Sequence, residues 1–216
     1  MSNKKVNLLF NKNDLQTGDL LLFDHKNNNT TPLSCCLSCY GSLIRCFTKS
    51  KYTHSAMVIR NPPWRNDLKG LYVLESSLET FTDAEDNEIK FGVQLVNFDK
   101  LVDNYEGHVY VRQIKCERND EFNIKLIKAH SIVHNRLYDI IPIDYIKAGF
   151  FINIGNTHRK NTFFCSSLMT FIYVCLDLVD HDLPWSIIAP KELGTEDLKK
   201  SIKFHNCTIN DEILIK

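Results

Sequence analysis

Strand-like and helix-like patterns are segregated along this chain, and that segregation limits its fold more than any other feature. Short apolar or alternating runs occupy residues 20–23, 54–60, 71–75, 92–96 and 108–114. The first follows the turn residues Thr17, Gly18 and Asp19, the second reads H-S-A-M-V-I-R, and the third reads L-Y-V-L-E. In the last, Val109 and Val111 alternate with Tyr110 and Arg112, the two-residue period of a half-buried strand. Five such runs with short or modest connections predict an antiparallel meander. The longer helical patterns come later. Residues 120–136 place Phe122, Leu126, Ala129 and Val133 on one face, with Asp120 as the expected cap. Residues 165–179 place Leu168, Ile172, Cys175 and Val179 on one stripe, and a shorter helix is expected over 42–49. Strands first and helices later predict an α+β fold, an antiparallel sheet of about five strands packed against helices.

At 216 residues the chain suits one domain, 1–216, with its core at about 17–179 and a C-terminal extension at 180–216. Polar loops are expected at 27–31 and 61–70, and 81–90 is acidic and expected to be exposed. Lysine plus arginine matches aspartate plus glutamate at 26 each, so a nucleic-acid partner is not expected. No apolar signal core follows the basic start, and no run is long enough to span a bilayer, which gives the expectation of a cytoplasmic protein. In a reducing compartment its eight cysteines would mostly be free thiols.

Cys165 lies in T-F-F-C-S-S-L-M, where an extended stretch meets a helix. The first turn of a helix offers unpaired backbone N–H groups and the positive end of its dipole, both of which favour a thiolate nucleophile. The same N–H groups can stabilise an oxyanion. His54 opens a strand, a rigid mount for a general base. Glu75 ends the next strand after four mostly apolar residues and can orient the imidazole. Each residue alone also fits a structural reading: a buried thiol, a histidine on a sheet rim, a solvated strand end.

The order G-D-L-L-L-F, Y-T-H-S-A-M-V, V-L-E-S, L-Y-D, F-F-C-S-S-L resembles the circularly permuted branch of the NlpC-like, papain-related superfamily, over residues 17–179. That branch includes YiiX-type bacterial proteins, relatives of lecithin–retinol acyltransferase, and proteins of poxviruses and other large DNA viruses. The resemblance implies a permuted papain-like fold with its nucleophile at a helix N-terminus. It places the catalytic residues at Cys165, His54 and Glu75, and substrate contacts at Tyr138, Tyr52 and Ser166. It implies a cysteine hydrolase or acyl transferase acting on an amide or ester bond, without a cofactor or a metal. The substrate would be a small molecule, a lipid or a peptide, and the setting a host cytoplasm or a virion. Many bacterial members read C-S-E-L at the nucleophile, where this chain has Ser167. The other readings are a peptide amidase of the same fold, or a non-catalytic viral or host-interaction protein on the same scaffold.

Asp139 and Asp19 are expected to hold a turn and the first strand. Cys35, Cys36, Cys39 and Cys46 form half of a zinc motif at best, and the apolar stretch 33–47 suits a flap over the cleft or a peripheral membrane contact. His130, His134, His158, His181 and His205 lack evident ligand spacing or partners, and Trp64 and Trp185 beside prolines are expected to anchor loops.

Overall fold

Gly18, at φ +98°, makes the left-handed turn that a side chain would resist, and the chain enters β1 (Leu20–His25). A computed structural model describes residues 10–25, 51–78, 81–139, 161–195 and 202–216. The expected helix at 42–49, the four-cysteine cluster and the apolar stretch 33–47 lie outside them. After β1 come β2 (His54–Arg60), β3 (Leu71–Ser77), β4 (Gly92–Asn97), α1 (Phe98–Asn104), β5 (Gly107–Arg112) and β6 (Ile114–Lys115). The second half holds α2 (Asp120–Val133), β7 (Leu137–Tyr138), β8 (Thr162–Phe163), α3 (Cys165–Cys175), β9 (Thr208–Ile209) and β10 (Ile213–Leu214). The fold is α+β, a multi-stranded sheet with three helices among the described residues.

The sheet order is β10-β5-β1-β2-β3-β4-β7-β8, and β6 pairs with β9 in a separate ribbon. The expected meander holds from β1 to β4. It fails at β5, which pairs with β1, Leu20 opposite Arg112, on the far side from β4. The cause is α1, which the sequence reading missed. Asn97 caps it by accepting from the Lys100 N–H, and Phe98, Leu101 and Val102 bury against one sheet face, carrying the chain across.

Both faces of the central strands are covered. Leu20, Leu22, Met57, Ile59, Tyr72 and Leu74 pack with residues of α2 and α3. Leu21, Phe23, Ala56, Val58 and Val73 pack with α1 on the other face. This double burial explains the continuous apolar runs of β1 to β3, and each fully buried Leu, Ile, Val or Met contributes roughly 1.5–3 kcal/mol.

The cap of α2 is Asn119, whose Oδ1 accepts from the Phe122 N–H at 3.0 Å, and not Asp120. The third helix stops at Cys175, four residues short of expectation, because Asp177 turns left-handed at φ +56°. Residues 165–173 of α3 are buried on every side, so its pattern is not a single stripe.

The segment set apart as an extension takes part in the core. Trp185 packs on Phe163 and Phe171, β10 extends the sheet beside β5, and Arg112 donates to the carbonyls of Leu193 and Asn210. The acidic loop 81–90 is not simply exposed either: Asp83 is buried and paired with Lys90, and Glu85 is half-buried with its side chain only 7% exposed. Among the described residues, no helix is long and apolar enough to cross a membrane.

Candidate active site

The site sits where the sheet comes apart. The β2–β3 ladder runs from Arg60–Leu71 to Met57–Leu74 and stops. Beyond that point β2 continues against β1 alone, with Phe23 opposite His54, and β3 continues against β4, with Gln94 opposite Glu75. The seam is bridged by the segment leading into α3. Ser76 Oγ donates to the Phe163 carbonyl at 2.6 Å, and α3 starts two residues later.

His54 shares the α1-side face with Ala56 and Val58, and its ring lies 5.1 Å from that of Phe23. Glu75 shares the same face with Val73. The body of α3 packs on the opposite face, and at the seam its N-terminus reaches the His54 ring. The three residues the sequence singled out as catalytic candidates therefore meet. His54 Nε2 is 2.7 Å from Glu75 Oε2, and Gln94 Nε2 donates to Glu75 Oε1 at 2.8 Å. The other ring nitrogen, Nδ1, is left for the sulfur. Glu75 is 1% exposed, Cys165 has no exposure, and the His54 side chain keeps 19%.

Burial would push the Cys165 thiol up. The charge and hydrogen bond of His54, with the N–H groups of Ser55 and Ser166, outweigh it and hold the thiol below its ordinary value. Burial would likewise push the His54 imidazole down, but the charge of Cys165 and hydrogen bonds to Cys165 and Glu75 hold it well above its ordinary value. Both directions favour a thiolate–imidazolium pair. The Ser55 N–H can reach the sulfur because the seam leaves that part of β2 without a β3 partner.

The N-cap of α3 is Phe164, which offers no side-chain acceptor. Ser167 fills in: its Oγ accepts from the Phe164 N–H at 3.0 Å and donates to the Phe164 carbonyl at 2.8 Å. A glutamate at this position of a capping box would make the first of these bonds, so the serine preserves the local cap.

The substrate-contact positions divide. Tyr138 is buried against Phe164, the residue before Cys165. Tyr52 is instead a core residue, 4% exposed, edge-on to Tyr110 at 5.7 Å, with the Glu212 carboxylate beside its hydroxyl. Burial is the main force that raises its phenol above the ordinary value. Ser166 is fully buried and its hydroxyl donates to the Ile188 carbonyl at 2.7 Å, which leaves only its N–H to the site. Asp139 accepts from the Thr162 hydroxyl at the start of β8, and Asp19 accepts from the Gln16 and Ile114 N–H groups, so each ties down a strand end as expected.

Gln94 was missed in the sequence, although its place inside G-V-Q-L-V, a polar side chain amid strand apolars, was the available signal. The reading of His130 and His134 needs correction. They stand one turn apart at the end of α2 and share a partner, Glu85, 45 residues before His130.

No family model matches the sequence, and no curated protein matches it. Among solved structures, the chain is similar to the crystal structure of metalloprotein yiiX from Escherichia coli O157:H7. Identity is 15%, over 94% of this chain and 97% of that one, with a TM-score of 0.46.

Proposed function

We propose that this protein is a cysteine hydrolase or acyl transferase of the permuted papain-like kind, acting on an amide or ester bond through Cys165, His54 and Glu75. The observation that carries the reading is the 2.7 Å His54–Glu75 contact beside a thiol held below its ordinary value by that same histidine. The thiolate attacks the carbonyl carbon, and N–H groups at the start of α3 receive the oxyanion. His54 gives its proton to the leaving amine or alcohol, which leaves a thioester on Cys165. It then takes a proton from water, or from an acceptor alcohol or amine, whose attack frees the acyl group and restores the thiolate. Glu75 holds the imidazole by Nε2 so that Nδ1 faces the sulfur, and Gln94 holds Glu75. Tyr138 packs on Phe164, the residue before Cys165, which supports a substrate contact for it.

A non-catalytic scaffold is the second reading, favoured by the complete burial of Cys165. A small acyl donor separates the two. Wild type incubated with p-nitrophenyl acetate should trap one acetyl group on Cys165, seen by mass spectrometry, with a burst of nitrophenol. Cys165→Ala should melt like wild type and lose the burst, and His54→Ala should slow it strongly. Acetylation spread evenly over the cysteines, or unchanged in His54→Ala, leaves the scaffold reading in its place.

A further inference from the structure

A second cluster lies at the far end of α2. Glu85 comes from the turn closed by the Thr82–Ile89 bridge, and His134 is the C-cap of the helix that carries His130. One ring nitrogen of each histidine and one Glu85 oxygen all lie within 4.8 Å of one another. The Glu85 and His130 side chains are 7% and 8% exposed, and that of His134 is 35% exposed.

The spacing is informative. Glu85 Oε2 stands 3.1 Å from His130 Nε2 and 3.5 Å from His134 Nδ1. Among the described residues the other histidine–carboxylate contacts stand at 2.6 Å for His205–Asp180, 2.7 Å for His54–Glu75 and 3.0 Å for His181–Asp177. Two donors each ~2.0–2.1 Å from one tetrahedral zinc ion stand ~3.3 Å apart. The 3.1 Å contact to His130 is within hydrogen-bond range and the 3.5 Å contact to His134 is beyond it, and both separations match two ligands of one shared ion.

Their surroundings fit as well. The Trp64 ring stacks on His130 at 3.9 Å and 13°, fixing its plane. Trp64 Nε1 donates to Glu85 Oε1 at 2.9 Å, which leaves Oε2 for ligation. Outer partners orient metal-binding carboxylates and imidazoles in this way. The nearby cations are already paired, Lys90 with Asp83 and Asp86, and Arg65 with Asp67.

We propose that Glu85, His130 and His134 bind one divalent transition-metal ion of the zinc class, at a site that shares no residue with the thiol centre. Two imidazole nitrogens and one carboxylate oxygen are a zinc donor set, with the fourth position open to water. A neutral histidine binds through one ring nitrogen and keeps its proton on the other, so loading shifts tautomers and need not release protons. The ion would staple the end of α2 to the β3–β4 connection.

The test uses the full chain, stripped with chelator and reloaded with Zn2+ or with Co2+ as a spectroscopic probe. The expected result is one ion per chain with nitrogen and oxygen ligands by X-ray absorption, and no thiolate charge-transfer band with cobalt. His134→Ala, chosen because that side chain is partly exposed, should weaken binding by about 100-fold or more, beyond the ~10–100-fold typical of losing an outer partner. Trp64→Phe keeps a ring on His130 and removes the donor to Glu85, and should weaken binding by ~10–100-fold. Cys165 alkylation in the metal-free variants should match wild type. Absence of binding, a sulfur-ligated ion, or Zn2+ affinity unchanged in both variants overturns the proposal.

Discussion

Glu75→Gln keeps the shape of the side chain and removes its charge. Glu75 is 1% exposed, accepts at Oε2 from His54 at 2.7 Å, and is held at Oε1 by Gln94 at 2.8 Å. A hydrogen bond to a charged group contributes about 1.5–3 kcal/mol, and 1.36 kcal/mol is tenfold, so the thiolate–imidazolium form should lose roughly 10- to 150-fold against the neutral pair. The sign follows from the shifts. His54 is held above its ordinary value, so the imidazolium persists as pH rises; Cys165 is held below its own, so the thiolate persists as pH falls. The variant loses thiolate between those limits and recovers it as pH nears the ~8.5 of a free thiol. The assay is iodoacetamide alkylation followed by peptide mass spectrometry across pH. Cys116 and Cys207 serve as internal references, since burial raises both thiols, Cys207 to about 11. At about pH 6, Cys165 should label 10- to 150-fold more slowly in the variant, while the references keep their wild-type rates. A Cys165 rate within about twofold of wild type, in a variant that melts normally, refutes the role given to Glu75.

Ser76→Ala should remove the 2.6 Å bond from Ser76 Oγ to the buried Phe163 carbonyl and leave that carbonyl the Asp139 N–H at 3.2 Å. Losing one hydrogen bond costs about 0.5–1.5 kcal/mol, and at this chain length each kcal/mol lowers the melting temperature by ~2–4 °C, so calorimetry should show a drop of about 1–6 °C. For Glu212, burial pushes the carboxyl up, but hydrogen bonds from Thr195 outweigh it and hold it below the ordinary value. Such a group stabilises the fold above its unfolded value of ~4.3, and the benefit is lost as pH falls through the folded value. Glu212→Gln should therefore flatten the acid-side loss of stability in denaturant titrations below about pH 4.3, and an unaltered slope contradicts this linkage.

Strands β1 to β4 were legible because burial on both faces writes an apolar run directly into the chain. The partner of β5 was not: alternation identifies a strand but says nothing about its neighbour, and α1 decides that neighbour with only seven residues. Strands β7, β8 and β10 have two residues each, too few for any period to register. Cys165, His54 and Glu75 could be read because each stands at or near the end of an apolar element, where a chemically distinctive residue is conspicuous. Ser166 and Tyr52 stood close to those motifs in sequence, yet packing turned them toward Ile188 and Tyr110. The Glu85–His130–His134 group went unseen because its members come from an acidic loop and a helix 45 residues apart, and only the fold brings them together.

The seam between β2 and β3 also sets an order of assembly. Each flank of the opening pairs strands that follow one another in the chain, Phe23 with His54 and Glu75 with Gln94, whereas the wedge that fills it arrives across 87 residues, the separation of Ser76 and Phe163. Contacts that close long loops form after local ones have lowered their entropic cost. The β1–β2 and β3–β4 pairings are therefore expected to precede the docking of the α3 N-terminus, so that Cys165 would meet His54 late in folding. Before that docking Cys165 would titrate as an ordinary thiol, and its lowered value belongs to the finished fold.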